Sequence, residues 1–155
     1  TRMSSGMPDL TGLSISDVAT ASTLTLAADT ISVIDYTGAA ACAATLPAAT
    51  QGTVVIYCQA KDTTGGTATL SFDCAGSDAY ATGSVIESRG SSEVTFDTSA
   101  AGETLLTFTP ANAATNLLTT AGQIAFICYE KGTWHIATSL ARETTQTTGA
   151  FVFAS

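Results

Sequence analysis

Apolar residues in this chain come in short runs, and a turn stops each run before it reaches helix length. From Thr67 to Cys74 the alternation is nearly perfect. Ala68, Leu70, Phe72 and Cys74 share one face, and Thr67, Thr69, Ser71 and Asp73 share the other. A period of two puts alternate side chains on opposite faces of a strand, so this segment reads as a half-exposed strand. Thr53 to Lys61 is an almost continuous apolar run and reads as a central strand covered on both faces. Between the two, Asp62-Thr63-Thr64-Gly65-Gly66 has the composition of a turn. Gly supplies positive φ there, and Asp bonds its own backbone.

The same reading extends along the chain. Leu24 to Leu26 and Ile31 to Ile34 are short strands around an Ala-Ala-Asp-Thr break. Val85-Ile86, Glu93 to Asp97 and Glu103 to Thr109 follow, the last stopped by Pro110. Gln123 to Tyr129 and Thr133 to Ala137 flank Glu130-Lys131-Gly132 as a hairpin. The Ala-rich segment from Gly38 to Ala44 is too short to nucleate a helix alone. It reads as a strand ending at Leu46-Pro47, because Pro47 pushes Leu46 out of the α region. Ala111 to Ala121 reads as a loop with at most one helical turn. About eight to ten short strands with little helix argue for an all-β fold. The expected architecture is an antiparallel β-sandwich or jelly-roll-like barrel over residues 21–142. An extended N-terminal arm over 1–20 precedes it, and a segment over 143–155 follows, as a final strand or a subunit-swapped arm.

Composition narrows the partners. Apolar residues make up 45% of the chain and charged residues 12%. That is material for a core, and the reverse of a disordered composition. A neutral surface rich in Thr and Ser is poor at keeping copies apart, which suits a subunit of an assembly. Net charge is −8. No two of Arg2, Lys61, Arg89, Lys131 and Arg142 are neighbours in sequence. Binding to phosphates needs clustered cations, so nucleic acid is an unfavourable partner, and an anionic membrane surface equally so. No apolar run approaches the length of about 18 residues needed to span a bilayer. Thr1 to Gly6 lacks the apolar region of a secretory signal. Loss of an initiator Met before Thr1 would make this a complete chain, made in the cytoplasm.

Residue chemistry points away from catalysis. Cys42, Cys58, Cys74 and Cys128 lack the short paired spacing of a zinc site. Cys58 shares parity with Val54 and Ile56, Cys74 with Leu70 and Phe72, and Cys128 with Ile124 and Phe126. These three are expected on the core face as small buried hydrophobes, with a disulfide between two of the four as the alternative. His135 is the single His and alternates with Trp134 and Ile136, so it reads as a surface residue and Trp134 as core. Asp29, Asp35, Asp62 and Asp78 fall at turns, and no calcium-loop pattern surrounds them. No G-x-S-x-G is present. No enzyme activity, cofactor or metal is expected. Trp134, Tyr57, Tyr80 and Tyr129 are the candidate aromatic platform for a sugar.

The segment from Leu46 to Ile136 carries a resemblance. Leu46-Pro47-Ala48-Ala49-Thr50-Gln51-Gly52 runs straight into the strand Thr53 to Cys58, and the stretch closes on Gly132-Thr133-Trp134. This order resembles a module of phage virion proteins found in tail fibres, head fibres and capsid decoration proteins. There a TLPAA-type corner and a Gly lead into a strand, Thr-rich strands follow, and a G-x-W strand closes the sheet. Tyr57-Cys58-Gln59 stands where that module more commonly has Ile-x-Asn.

The resemblance implies a virion structural protein. Its most concrete form is a capsid decoration (cement or head-fibre) protein on the outer capsid surface. The implied partners are the major capsid protein and further copies of the chain, as a trimer. The candidate capsid-binding residues are Arg2, Met3, Met7, Pro8, Leu10, Leu13 and Ile15 in the arm. The candidate subunit contact is Phe151, Val152 and Phe153. The alternative is a receptor-binding tail-fibre or spike module that recognises host glycans through Thr69, Ser71, Asp73 and Tyr80.

Overall fold

The computed structural model describes residues 14–18, 23–60, 67–89, 94–109, 122–142 and 150–155. All regular structure among them is β. The strands are β1 (Ser14–Val18), β2 (Thr23–Thr25), β3 (Thr30–Ile34), β4 (Cys42–Thr45), β5 (Val54–Gln59), β6 (Leu70–Asp73) and β7 (Ala79–Tyr80). They continue as β8 (Val85–Arg89), β9 (Val94–Thr98), β10 (Leu105–Thr109), β11 (Gln123–Glu130), β12 (Thr133–Arg142) and β13 (Ala150–Ala154). One sheet has the order β1-β3-β5-β11-β12-β8-β9, with β7 also on β12. The other has the order β13-β10-β6-β4-β2. Their inner faces share one core, as expected for an all-β sandwich.

The first half of the chain is not antiparallel. β1, β3 and β5 pair in parallel in one sheet, and β2, β4 and β6 pair in parallel in the other. Each pair of consecutive strands places one member in each sheet. A return to the first sheet therefore comes by way of the second, and it arrives running in the original direction. A crossover strand in the opposite layer thus does what a helix does in βαβ units. The result is three stacked β coils, a solenoid-like arrangement. The second half closes the stack: β10 pairs antiparallel with β6, and β11 antiparallel with β5. At the far side the Phe153 amide of β13 donates to Asp97 Oδ2 of β9 at 2.6 Å, linking the two sheet edges.

Phe72 stands at the centre of the core. Its ring lies 5.0 Å from Tyr57 and 5.2 Å from Phe126, both on the opposite sheet. Leu70, Phe72 and Cys74 face inward as the alternation requires. On β5 the inward set is Val55, Tyr57 and Gln59, and Cys58 lies half-buried on the other face. This reverses the expected side for Cys58. Both faces of this strand are apolar in sequence, so parity could not choose between them. The fit of Tyr57 against Phe72 does.

The two ends of the Leu46–Ile136 segment meet in space. Gly52 donates to the Cys128 carbonyl at 2.8 Å, and Gly132 donates to the Ala49 carbonyl at 2.9 Å. The β11–β12 hairpin turns at Lys131-Gly132, with Gly132 at φ +83. Asp78 Oδ2 accepts the Ala49 amide at 2.7 Å, tying the Pro corner to the loop before β7. Removing this acceptor leaves a part-buried N–H unpaired, which costs about 1–3 kcal/mol. Asp78→Ala should lower the urea midpoint accordingly at unchanged m-value. A midpoint equal to that of the parent chain would show that water replaces the carboxylate without loss.

Ser14–Val18 fall in the segment read as an arm, but they form edge strand β1. Phe151 and Phe153 are 3% and 5% exposed and pack in the chain's own core, with Phe151 5.0 Å from Phe108 and Phe153 5.2 Å from Tyr80. The final segment is therefore a strand of its own sandwich, and of the three candidate contact residues only Val152, at 47%, faces outward. The spacing of the two Phe residues suits an inner face as well as it suits an exchanged arm.

Candidate functional site

Two surfaces have the geometry of contact sites. The first is the end of the coil stack at which, among the described residues, β1 and β2 are the edge strands of the two sheets. Edge strands present a row of unpaired N–H and C=O groups that can template another chain. Among the described residues β1 pairs with β3 alone. Ile15, on β1, is 73% exposed. The other arm candidates, Arg2, Met3, Met7, Pro8, Leu10 and Leu13, lie outside the described residues.

The second is a groove of about 390 Å³ between the β11–β12 hairpin and the turn at 81–85. Tyr129 and His135 form one wall, their rings 4.9 Å apart at 60°. Ala81 to Val85 form the other wall. That turn is held by buried Ser99. Its hydroxyl donates to the Ala81 carbonyl at 2.5 Å and accepts the Ser84 amide at 3.0 Å. The Ser99 amide donates to Ser84 O at 2.9 Å, and the Gly83 amide to Ser99 O at 2.9 Å. Gly83 itself adopts φ +85, a conformation that suits glycine.

The structure redistributes the candidate aromatics. Tyr57, Tyr80 and Trp134 are 0%, 2% and 0% exposed, so they belong to the core. Tyr80 donates its hydroxyl to the Phe72 carbonyl at 3.0 Å. Tyr129, at 58%, is the member of the set on the surface. Of the residues expected to face a glycan, Thr69 and Ser71 are half-buried, Asp73 is exposed, and Tyr80 is withdrawn.

Sequence reasoning missed a buried polar cluster beneath the first sheet. Tyr57 donates to Gln59 Oε1, Gln59 Nε2 donates to the Tyr36 carbonyl at 2.6 Å, and Tyr36 donates to the Ala68 carbonyl. A Gln at the end of an apolar run was the available signal, since a buried amide must find partners. All four cysteines are free thiols. Burial pushes Cys74 up to about 12, helped by the nearby Asp73 and Asp78, and burial also raises Cys42. Thiols held protonated in this way are poor nucleophiles.

Among the described residues no three of His, Cys, Asp or Glu come together as a metal site. No helix among them is long and apolar enough to cross a membrane. Comparison with protein-family models, curated proteins and solved structures gave no match.

Proposed function

We propose that this chain is a virion structural protein, a capsid decoration (cement or head-fibre) protein that binds the outer surface of a phage capsid. The observation that carries this reading is the end of the coil stack at which β1 and β2 are, among the described residues, the sheet edges. There Ile15 stands exposed on an edge strand, directly after the sequence that holds Met3, Met7, Leu10 and Leu13. An edge strand with apolar side chains suits β-augmentation: backbone hydrogen bonds give affinity, and side chains in pockets give specificity. The partner is the major capsid protein. A contact of about 1,600 Å² is enough for specific binding, and many copies around a shell add avidity. A sandwich that bridges neighbouring coat subunits contributes burial that resists internal genome pressure. Trimeric assembly at local symmetry axes fits the weakly charged surface, with exposed Val152 as the remaining residue of the candidate subunit contact.

Co-sedimentation with purified phage shells that lack this protein tests the reading. The chain should saturate shells at a fixed ratio to coat subunits. Ile15→Asp, or removal of residues 1–13, should weaken binding more than about tenfold, a change of about 1.4 kcal/mol. A chain that stays in the supernatant but binds host cells would replace decoration with receptor recognition. Full occupancy by the truncated chain would move the contact away from this end.

A further inference from the structure

We infer that the groove between Tyr129 and the turn at 81–85 is a binding site for a neutral saccharide. The rims of the groove carry two exposed large apolar side chains, Tyr129 at 58% and Val85 at 45%. A pyranose presents an apolar C–H face and a polar perimeter. An exposed Tyr ring, with an apolar body and a polar tip, matches both. Thr82, Ser84 and His135 line the same groove, so residues that carry hydroxyl and imidazole groups surround the aromatic platform.

Charge selects the class of sugar. Among the described residues no Asp, Glu, Lys or Arg lines the groove, and the chain carries a net charge of −8. An acidic sugar would meet repulsion without a cation to offset it, whereas a neutral one loses nothing. The volume, about 390 Å³, falls within the range of small-molecule sites. The wall opposite Tyr129 is also pre-formed. Ser99 is 3% exposed and pins both ends of the turn through the four hydrogen bonds described above. A rigid wall spares the ordering cost that weak ligands cannot meet.

This site is separate from the proposed shell contact. β3, β5 and β11 lie between β1 and β12 in the sheet. A chain docked through its β1 end keeps the groove accessible, and either proposal stands if the other fails.

The test is a titration of the 15N-labelled full chain with methyl glycosides of glucose, galactose and N-acetylglucosamine, alongside an array of neutral oligosaccharides. At least one probe should shift the amides of Gly83, Ser84, Tyr129 and His135 saturably, with millimolar affinity for a monosaccharide. Tyr129→Ala should weaken that probe about tenfold, and Tyr129→Phe should retain most of the binding. Tyr129 is exposed, so the parent spectrum elsewhere should persist in both variants. Silence from every glycoside and every oligosaccharide would overturn the site. So would shifts that map elsewhere, or that survive Tyr129→Ala unchanged.

Discussion

Phe72→Ala should cost about 3–5 kcal/mol of stability. Phe72 is fully buried on β6 and reaches across the core to Tyr57 on β5 and Phe126 on β11. Truncation removes the transfer energy of the ring and leaves a cavity between two sheets. Neither sheet can close that cavity without breaking its own ladders. The edge-to-face contact with Tyr57 adds about 0.5–1.5 kcal/mol beyond area. Domains of this size hold only about 5–15 kcal/mol in total, so the variant should unfold at a much lower urea concentration. By contrast, Tyr129→Ala on the surface should stay within about 0.5 kcal/mol of the parent chain. A Phe72→Ala loss below about 1 kcal/mol would mean that the sheets repack around the site, and that the aromatic cluster is not the keystone described.

That keystone was legible in the sequence, because β6 has one apolar face and one polar face. The alternation of Leu70, Phe72 and Cys74 fixed which side points inward, and the same held for Ile124, Phe126 and Cys128 on β11. β5 was legible as a strand but not as to its faces, since Val54, Ile56 and Cys58 are as apolar as Val55 and Tyr57. Only the partner across the core decides. Strand direction was legible only at the β11–β12 hairpin, where a short turn makes the pair antiparallel. Hydrophobic period reports which face a residue occupies and is silent about which strand lies beside it. The alternation of β1 to β6 between sheets therefore turned an expected antiparallel fold into parallel stacks. Of the two candidate surfaces, the sequence singled out Ile15 as part of an extended arm, whereas it stands exposed on edge strand β1. The groove did not show in sequence. The turn at 81–85 is far in the chain from Tyr129 and His135, and Ser99 sets that turn only after folding.

The same burial that builds the core makes the fold labile to base. Burial raises the phenols of Tyr36, Tyr57 and Tyr80 above their ordinary range, and it raises the thiols of Cys42, Cys58, Cys74 and Cys128, that of Cys74 to about 12. All are acids whose neutral form the fold prefers. In the unfolded chain they release protons near their ordinary values of 9.0 for Cys and 10.0 for Tyr. The folded state then binds more protons than the unfolded state, so stability falls as pH rises. Their contribution is complete below about pH 9 and is lost progressively as pH rises toward the folded-state values, about 12 for Cys74. Each group that is ionised only in the unfolded chain adds about 1.4 kcal/mol per pH unit to the slope. Seven such groups should give a steep, cooperative loss of structure rather than a gradual one. Urea midpoints taken across this range should be flat at neutral pH and then drop. The tyrosinate absorbance of the three buried residues should appear together with loss of the β signal in circular dichroism. Cys74→Ala lowers stability at every pH through its small cavity, but it should flatten the alkaline slope by the share of one proton. A midpoint that holds steady to about pH 11, or tyrosinate that forms while the sheets remain intact, would mean that water reaches Tyr57 and Tyr80, and that the sandwich is looser than its packing implies.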